Sequence, residues 1–167
     1  LRFSRSADRH SIFEFAQAIN YLAANARFGS PVNCLNPPPD YQAQLDAFTK
    51  QTEAWRELDT KPPVSDEVTK KRLLAEDAAQ RKDLHVAVNY YQAGLAINPE
   101  WAKGWYGAAF IYAQMKDYLR ASFFMRHYLI LMPDALDAQT SKDKALLWEA
   151  KAEEAAAKEL ILRHPAR

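Results

Sequence analysis

Residues 66–134 read DEVTKKRLLAEDAAQRKDLHVAVNYYQAGLAINPEWAKGWYGAAFIYAQMKDYLRASFFMRHYLILMPD, and one pattern passes through them twice. Pro99 is matched by Pro133, Ala87 by Ala121, Ala75 by Ala109, Leu95 by Leu129 and Ile97 by Leu131, each pair 34 residues apart. Lys82-Asp83-Leu84 in the middle of the first copy returns as Lys116-Asp117-Tyr118 in the second. A period of this length marks a supersecondary unit that buries its apolar face by stacking on its neighbour. Helical phase shows in Leu73/Leu74, Asp77/Ala78 and Arg81, and again in Val86, Tyr90, Ala93 and Ile97. Ala75, Ala87, Ala109 and Ala121 are small enough for two helices of a hairpin to meet closely, and Trp105, Tyr112 and Tyr91 suit the wider gaps between hairpins. Each proline stands just past a helix end, where it stops the helix without breaking an interior hydrogen bond.

The period and residue types resemble the tetratricopeptide repeat, a helix-turn-helix unit of the same length. With Pro99 and Pro133 at the closing position, the copies begin at Val68 and Ala102. The second copy carries Trp105, Ala109, Tyr112, Ala121 and Pro133 in the family's slots; the first has Leu74, Ala75, Ala87, Tyr91 and Pro99 but Lys71 in place of the Trp and Ala78 in place of the Tyr. A slot usually held by Ala is Gly94 in one copy and Tyr128 in the other. The resemblance spans Asp66 to Ala150, and the run to Glu153 also looks like a C-terminal repeat module of bacterial proteins, which implies a bacterial origin and no particular activity. What it implies for the fold is an all-α solenoid (an αα-superhelix), a scaffold whose specificity sits in variable groove residues.

On either side the pattern changes. Ser11 and Glu14 make a capping-box pair ahead of an amphipathic helix with Ile12, Phe15, Ile19 and Leu22 on one face, stopped near Gly29. Residues 29–40, GSPVNCLNPPPD, read as a loop with a stiff triple proline. Asp40 caps a second helix over Tyr41 to Leu58, interrupted in its apolar row by Thr52, and Ser65 or Asp66 caps the first repeat helix. The expected organisation is an N-terminal helical extension over 1–64 and a repeat domain over 65–167. Its repeats span 68–101 and 102–135, and a capping helix covers 136–162. That last helix outruns what a cap needs, so Ala152, Ala155 and Leu162 either fray or pack on another chain, and Glu154 with Lys158 is its favourable pair at helical spacing.

Composition narrows the function. Twenty-two basic and 21 acidic residues leave a net charge of +1, without the electrostatic footprint of a nucleic-acid binder. The single cysteine, Cys34, excludes an internal disulfide framework, and no apolar run has the length of a membrane span. His10, His85, His127 and His164 are far apart and form no metal-ligand spacing, no serine sits in a nucleophile elbow, and none of the four glycines builds a phosphate loop. Neither an enzyme nor a cofactor or metal site is expected.

The family resemblance places the concave face on the first helix of each repeat. The residues it implies there are Thr69, Arg72, Glu76 and Gln80, then Lys103, Tyr106, Phe110 and Gln114, joined by Asp137, Thr140, Lys144 and Trp148 of the covering helix. The expected partner site is Arg72, Glu76, Lys103, Tyr106, Phe110, Gln114, Lys144 and Trp148, a groove for a protein or peptide segment with apolar side chains, flanked by Arg72, Lys103 and Lys144 for an acidic group. The clamp with which some family members hold a terminal carboxylate is not expected, because Glu76 and Gly107 stand where donors are needed. Alternatively, the N-terminal helices, through Phe15, Ile19 or Trp55, cover this face themselves. The leading expectation is a protein-interaction scaffold. The alternatives are an assembly element that joins copies through Ala145 to Leu162, and a regulatory domain of a longer protein, which suits a sequence that opens at Leu1.

Overall fold

The computed structural model describes residues 41–163, and the helix and proline loop expected upstream lie outside them. Within this span the fold is all-α. Its helices are α1 (Tyr41–Gln51), α2 (Glu53–Arg56), α3 (Asp66–Gln80), α4 (Leu84–Ile97), α5 (Ala102–Gln114), α6 (Tyr118–Leu131) and α7 (Ala138–Arg163). From α3 to α7 each helix packs chiefly on the next in the chain, while α1 packs on α6.

The single helix expected over Tyr41 to Leu58 is divided at Thr52. Thr52 is fully buried, and its hydroxyl donates to the Phe48 carbonyl at 2.8 Å, the acceptor that its own N–H also uses. A threonine that bonds back one turn competes with the helical ladder and bends it. Lys61 Nζ then closes the segment by donating to the Arg56 and Leu58 carbonyls.

Helix α3 starts where a serine offers an acceptor. Ser65 Oγ accepts from Val68 N at 3.4 Å, and Asp66 and Glu67 occupy the first turn, where the helix dipole favours carboxylates. Helices α4 and α6 begin and end 34 residues apart, and so do the C-termini of α3 and α5. The backbone bonds recur with the same spacing. Lys82 N donates to Ala79 O and Asp83 N to Ala78 O; Lys116 N donates to Ala113 O and Asp117 N to Tyr112 O. Both lysines hold φ at 62°, the left-handed turn that closes a helix by these two bonds.

The buried faces follow the small residues. Ala75, Ala87, Ala109 and Ala121 are wholly buried at the α3–α4 and α5–α6 contacts. The apolar row expected on α4 is displaced by one position: Ala87, Val88, Tyr91 and Leu95 are buried, while Val86, Tyr90 and Ala93 are half-exposed and Ile97 is exposed. On α3, Leu73 and Leu74 are exposed, and the inward positions are Val68, Ala75 and Ala78. Helix α6 is apolar almost all round, with Ala121 through Met125, His127, Tyr128 and Leu131 buried, because α5, α7 and α1 cover its separate faces.

Trp105 lies at the centre. Its ring stacks on His127 at 4.3 Å and meets Phe48 at 5.4 Å and Phe124 at 5.1 Å, and its Nε1 donates to the Pro99 carbonyl at 2.7 Å. His127 is fully buried there, with Nδ1 2.8 Å from the Phe123 carbonyl, so Nδ1 carries the proton in the neutral ring. Burial pushes the His127 pKa down to about 4. Nearby, Trp101 fills a recess floored by Gly94 and Gly104, where any side chain would overlap its ring.

Two outcomes follow for stability. Between the ordinary histidine value of 6.5 and about 4, the unfolded chain binds a proton that the folded chain refuses. Stability is therefore whole above the higher value and declines as pH falls, by about 2 kcal/mol at pH 5. Urea melts at pH 7 and pH 5 should show this loss, and His127→Phe should flatten the profile. A Cβ at Gly104 would sit 2.6 Å from two atoms of the Trp101 ring, so Gly104→Ala should cost about 1–3 kcal/mol. Thermal melts of the single and double variants should show part of that cost relieved when Trp101→Leu is added.

Candidate functional site

A cleft of about 630 Å³ opens along α3 to α6. Arg72 and Glu76 come from α3, Tyr91 from α4, Lys103, Tyr106 and Gly107 from α5, Tyr128 from α6 and Asp137 from the turn before α7. Helical spacing explains the pairs: Arg72 and Glu76 are one turn apart, as are Lys103 and Gly107, so each pair faces the same way.

Gly107 lets Tyr91 reach the cleft. A Cβ there would lie 2.5 Å from Tyr91 Cζ and 2.7 Å from its hydroxyl oxygen, so the phenol rests on bare α5 backbone. Tyr106 meets the Tyr128 ring edge-on at 5.0 Å and the Phe110 ring at 4.8 Å. Tyr128 donates its hydroxyl to Asp137 Oδ1 at 2.6 Å. All three phenols are held neutral. Burial raises the pKa of each, and a carboxylate adds to it: Glu76 for Tyr91, Asp137 for Tyr106 and Tyr128. Arg72 Nη1 donates to both oxygens of Glu76, at 2.8 and 2.9 Å.

Four of the expected partner-binding residues therefore line the cleft together: Arg72, Glu76, Lys103 and Tyr106. The other four do not line it. Phe110 packs edge-on against Trp148 at 5.6 Å, and Trp148 is buried, so this pair joins α5 to α7. Lys144 lies with its Nζ 5.8 Å from the Phe110 ring centre, and Gln114 is exposed at the end of α5. From the sequence, Tyr91 suits a gap between hairpins and Tyr128 is not among the expected groove residues. The signal for Tyr128 was the large residue in a slot the family fills with Ala, and the signal for Tyr91 was the missing side chain at Gly107.

The described helix α1 does not cover these residues. Its Tyr41 meets Phe123 at 5.4 Å and its Phe48 meets Trp105 and His127, while Trp55 sits half-buried with Lys61 Nζ 5.0 Å from its ring centre. Phe15 and Ile19 lie outside the described residues. Among those described, no group of three or more His, Cys, Asp or Glu is placed to hold a metal ion, and no helix is long and apolar enough to cross a membrane. The cleft presents charges of both signs beside neutral phenols.

The division between cleft and interface has a measurable consequence. Phe110→Ala, half-exposed like Tyr106 but packed edge-on against the buried Trp148, should cost about 2 kcal/mol of unfolding free energy. Tyr106→Ala, at a half-exposed position, should cost about 1 kcal/mol. Denaturant melts of both variants would read the difference. Compared with models of protein families and with curated proteins, the chain matches none.

Proposed function

We propose that this chain is a protein-interaction module of the tetratricopeptide type and not an enzyme, and that a partner segment binds in the cleft between Arg72 and Asp137. The observation that carries the reading is the convergence of Arg72, Lys103, Tyr106, Tyr91 and Tyr128 from four successive helices on one open cleft. The 34-residue recurrence of helix bounds and turn bonds supports a stacked-repeat scaffold. In such a scaffold the first helices supply an extended binding surface. The half-exposed Tyr106 ring covers apolar side chains of a peptide, and the hydroxyls and charges fix its register.

A second reading has its own observation. On α7, Ala145 and Trp148 face the stack, whereas Leu146 and Leu147 are 49% and 52% exposed side by side. Two neighbouring leucines in water suit an assembly contact through this helix, the alternative in which copies join end to end. Sedimentation across a concentration series separates the two: a mass that rises with concentration and returns to the monomer value in Leu146→Glu/Leu147→Glu supports assembly.

For the leading reading, peptides should be selected from a random phage library on the full chain. Binding of the selected peptides should weaken tenfold or more, about 1.4 kcal/mol, in Lys103→Ala and in Tyr106→Ala, with the melting temperature unchanged in the first and a few degrees lower in the second. Peptides that ignore both substitutions would place the interaction elsewhere and overturn the assignment of the cleft.

A further inference from the structure

The charges of the cleft are not equivalent. Arg72 and Glu76 pair along one helix, Arg72 Nη1 donating to both carboxylate oxygens. The other charged groups of the cleft are Lys103 on α5 and Asp137 in the turn before α7. Asp137 Oδ1 accepts from the Tyr128 hydroxyl at 2.6 Å, and Oδ2 faces the Ser141 hydroxyl at 3.4 Å; both donors are neutral. Among the described residues, neither Asp137 nor Lys103 forms an ion pair. An ionised carboxylate has about four acceptor sites, so Asp137 keeps room for further donors. It stands where a helix-capping aspartate usually would, one residue before Ala138, yet its oxygens turn to Tyr128 and Ser141. Beside it the Tyr106 ring is half-exposed to the cleft. A carboxylate next to an aromatic face attracts a cation twice, through the charge and through the ring quadrupole.

Resting on the interaction-module reading, we propose that the bound segment presents a lysine or arginine side chain to Asp137, its stem against the Tyr106 ring, and an acidic group to Lys103. The partner is thus a segment of mixed charge. A segment with a carboxylate alone would meet Lys103 but would bring no cation to Asp137.

The test uses peptides selected on the full chain from a random phage library, then synthesised and titrated calorimetrically. Selected sequences should combine a basic and an acidic residue. Replacing the basic residue by glutamine should raise Kd about tenfold or more, and so should Asp137→Asn. The two changes together should cost little more than either alone, because both remove one contact. If Asp137→Asn disturbs helicity, the peptide substitution decides by itself. Peptides that depend on Lys103 and Tyr106 yet carry no basic residue, or tolerate its replacement, would overturn the proposal and leave the interaction module standing. Peptides that depend on none of the cleft residues would overturn both.

Discussion

The indole of Trp105 is the contact on which the remaining packing depends. Its ring is touched by side chains of α1 and α6, and its N–H is spent on the Pro99 carbonyl in the turn between α4 and α5. A buried indole nitrogen without an acceptor is costly, so this bond, with the backbone bonds from Trp101 N to Asn98 O and from Gly104 N to Trp101 O, holds α5 against the turn. The position of α5 then determines where Tyr106, one residue further, is presented. Core and cleft are therefore two faces of one helix, set by adjacent residues. Tyr112 extends the tie. Its hydroxyl accepts from Gln92 at 2.7 Å, which joins α5 to α4, as Arg126 with Glu149 joins α6 to α7.

The cleft exists because side chains are missing or short where helices cross. Gly107 removes the wall that would separate Tyr91 from the groove, and Gly94 and Gly104 let Trp101 sink between α4 and α5. Above these absences the larger residues are free to lean inward. Glycine inside a helix costs about 1 kcal/mol relative to alanine. Close approach of rings to backbone offsets that cost with packing that alanine would forbid.

Much of this was legible in the residues themselves. The period, the Ser65 cap and the inward alanines are local signals, and each corresponds to a local event in the structure; Thr52 shows in the sequence only as a gap in the apolar row, and the division of the helix there does not. The groove was half legible. Arg72, Glu76, Lys103 and Tyr106 are positions that the family resemblance implies for the groove, and the structure brings these four to one cleft. Tyr91 and Tyr128 sit on second helices and enter the site past a neighbouring backbone, a consequence of packing distances that no single helix encodes. Phe110 and Trp148 escaped for the opposite reason: each occupies a groove position, but they find each other across α5 and α7 and close that end. The row expected on α4 was one position off because Tyr90 and Tyr91 are equally apolar in pattern, and only the neighbouring helices decide which turns inward.

In the stack from α3 to α7, packing runs chiefly between helices consecutive in the chain, and such arrays open locally from their ends before they unfold as a whole. The cleft has another reach. Its lining runs from Arg72 on α3 to Asp137 before α7, so a segment long enough to span it would touch both. Occupancy would act as a tie-rod, converting end-fraying of separate helices into one cooperative event. Backbone amides of α3 and of the start of α7, far apart in sequence, would then exchange with solvent at a common rate set by the lifetime of the complex.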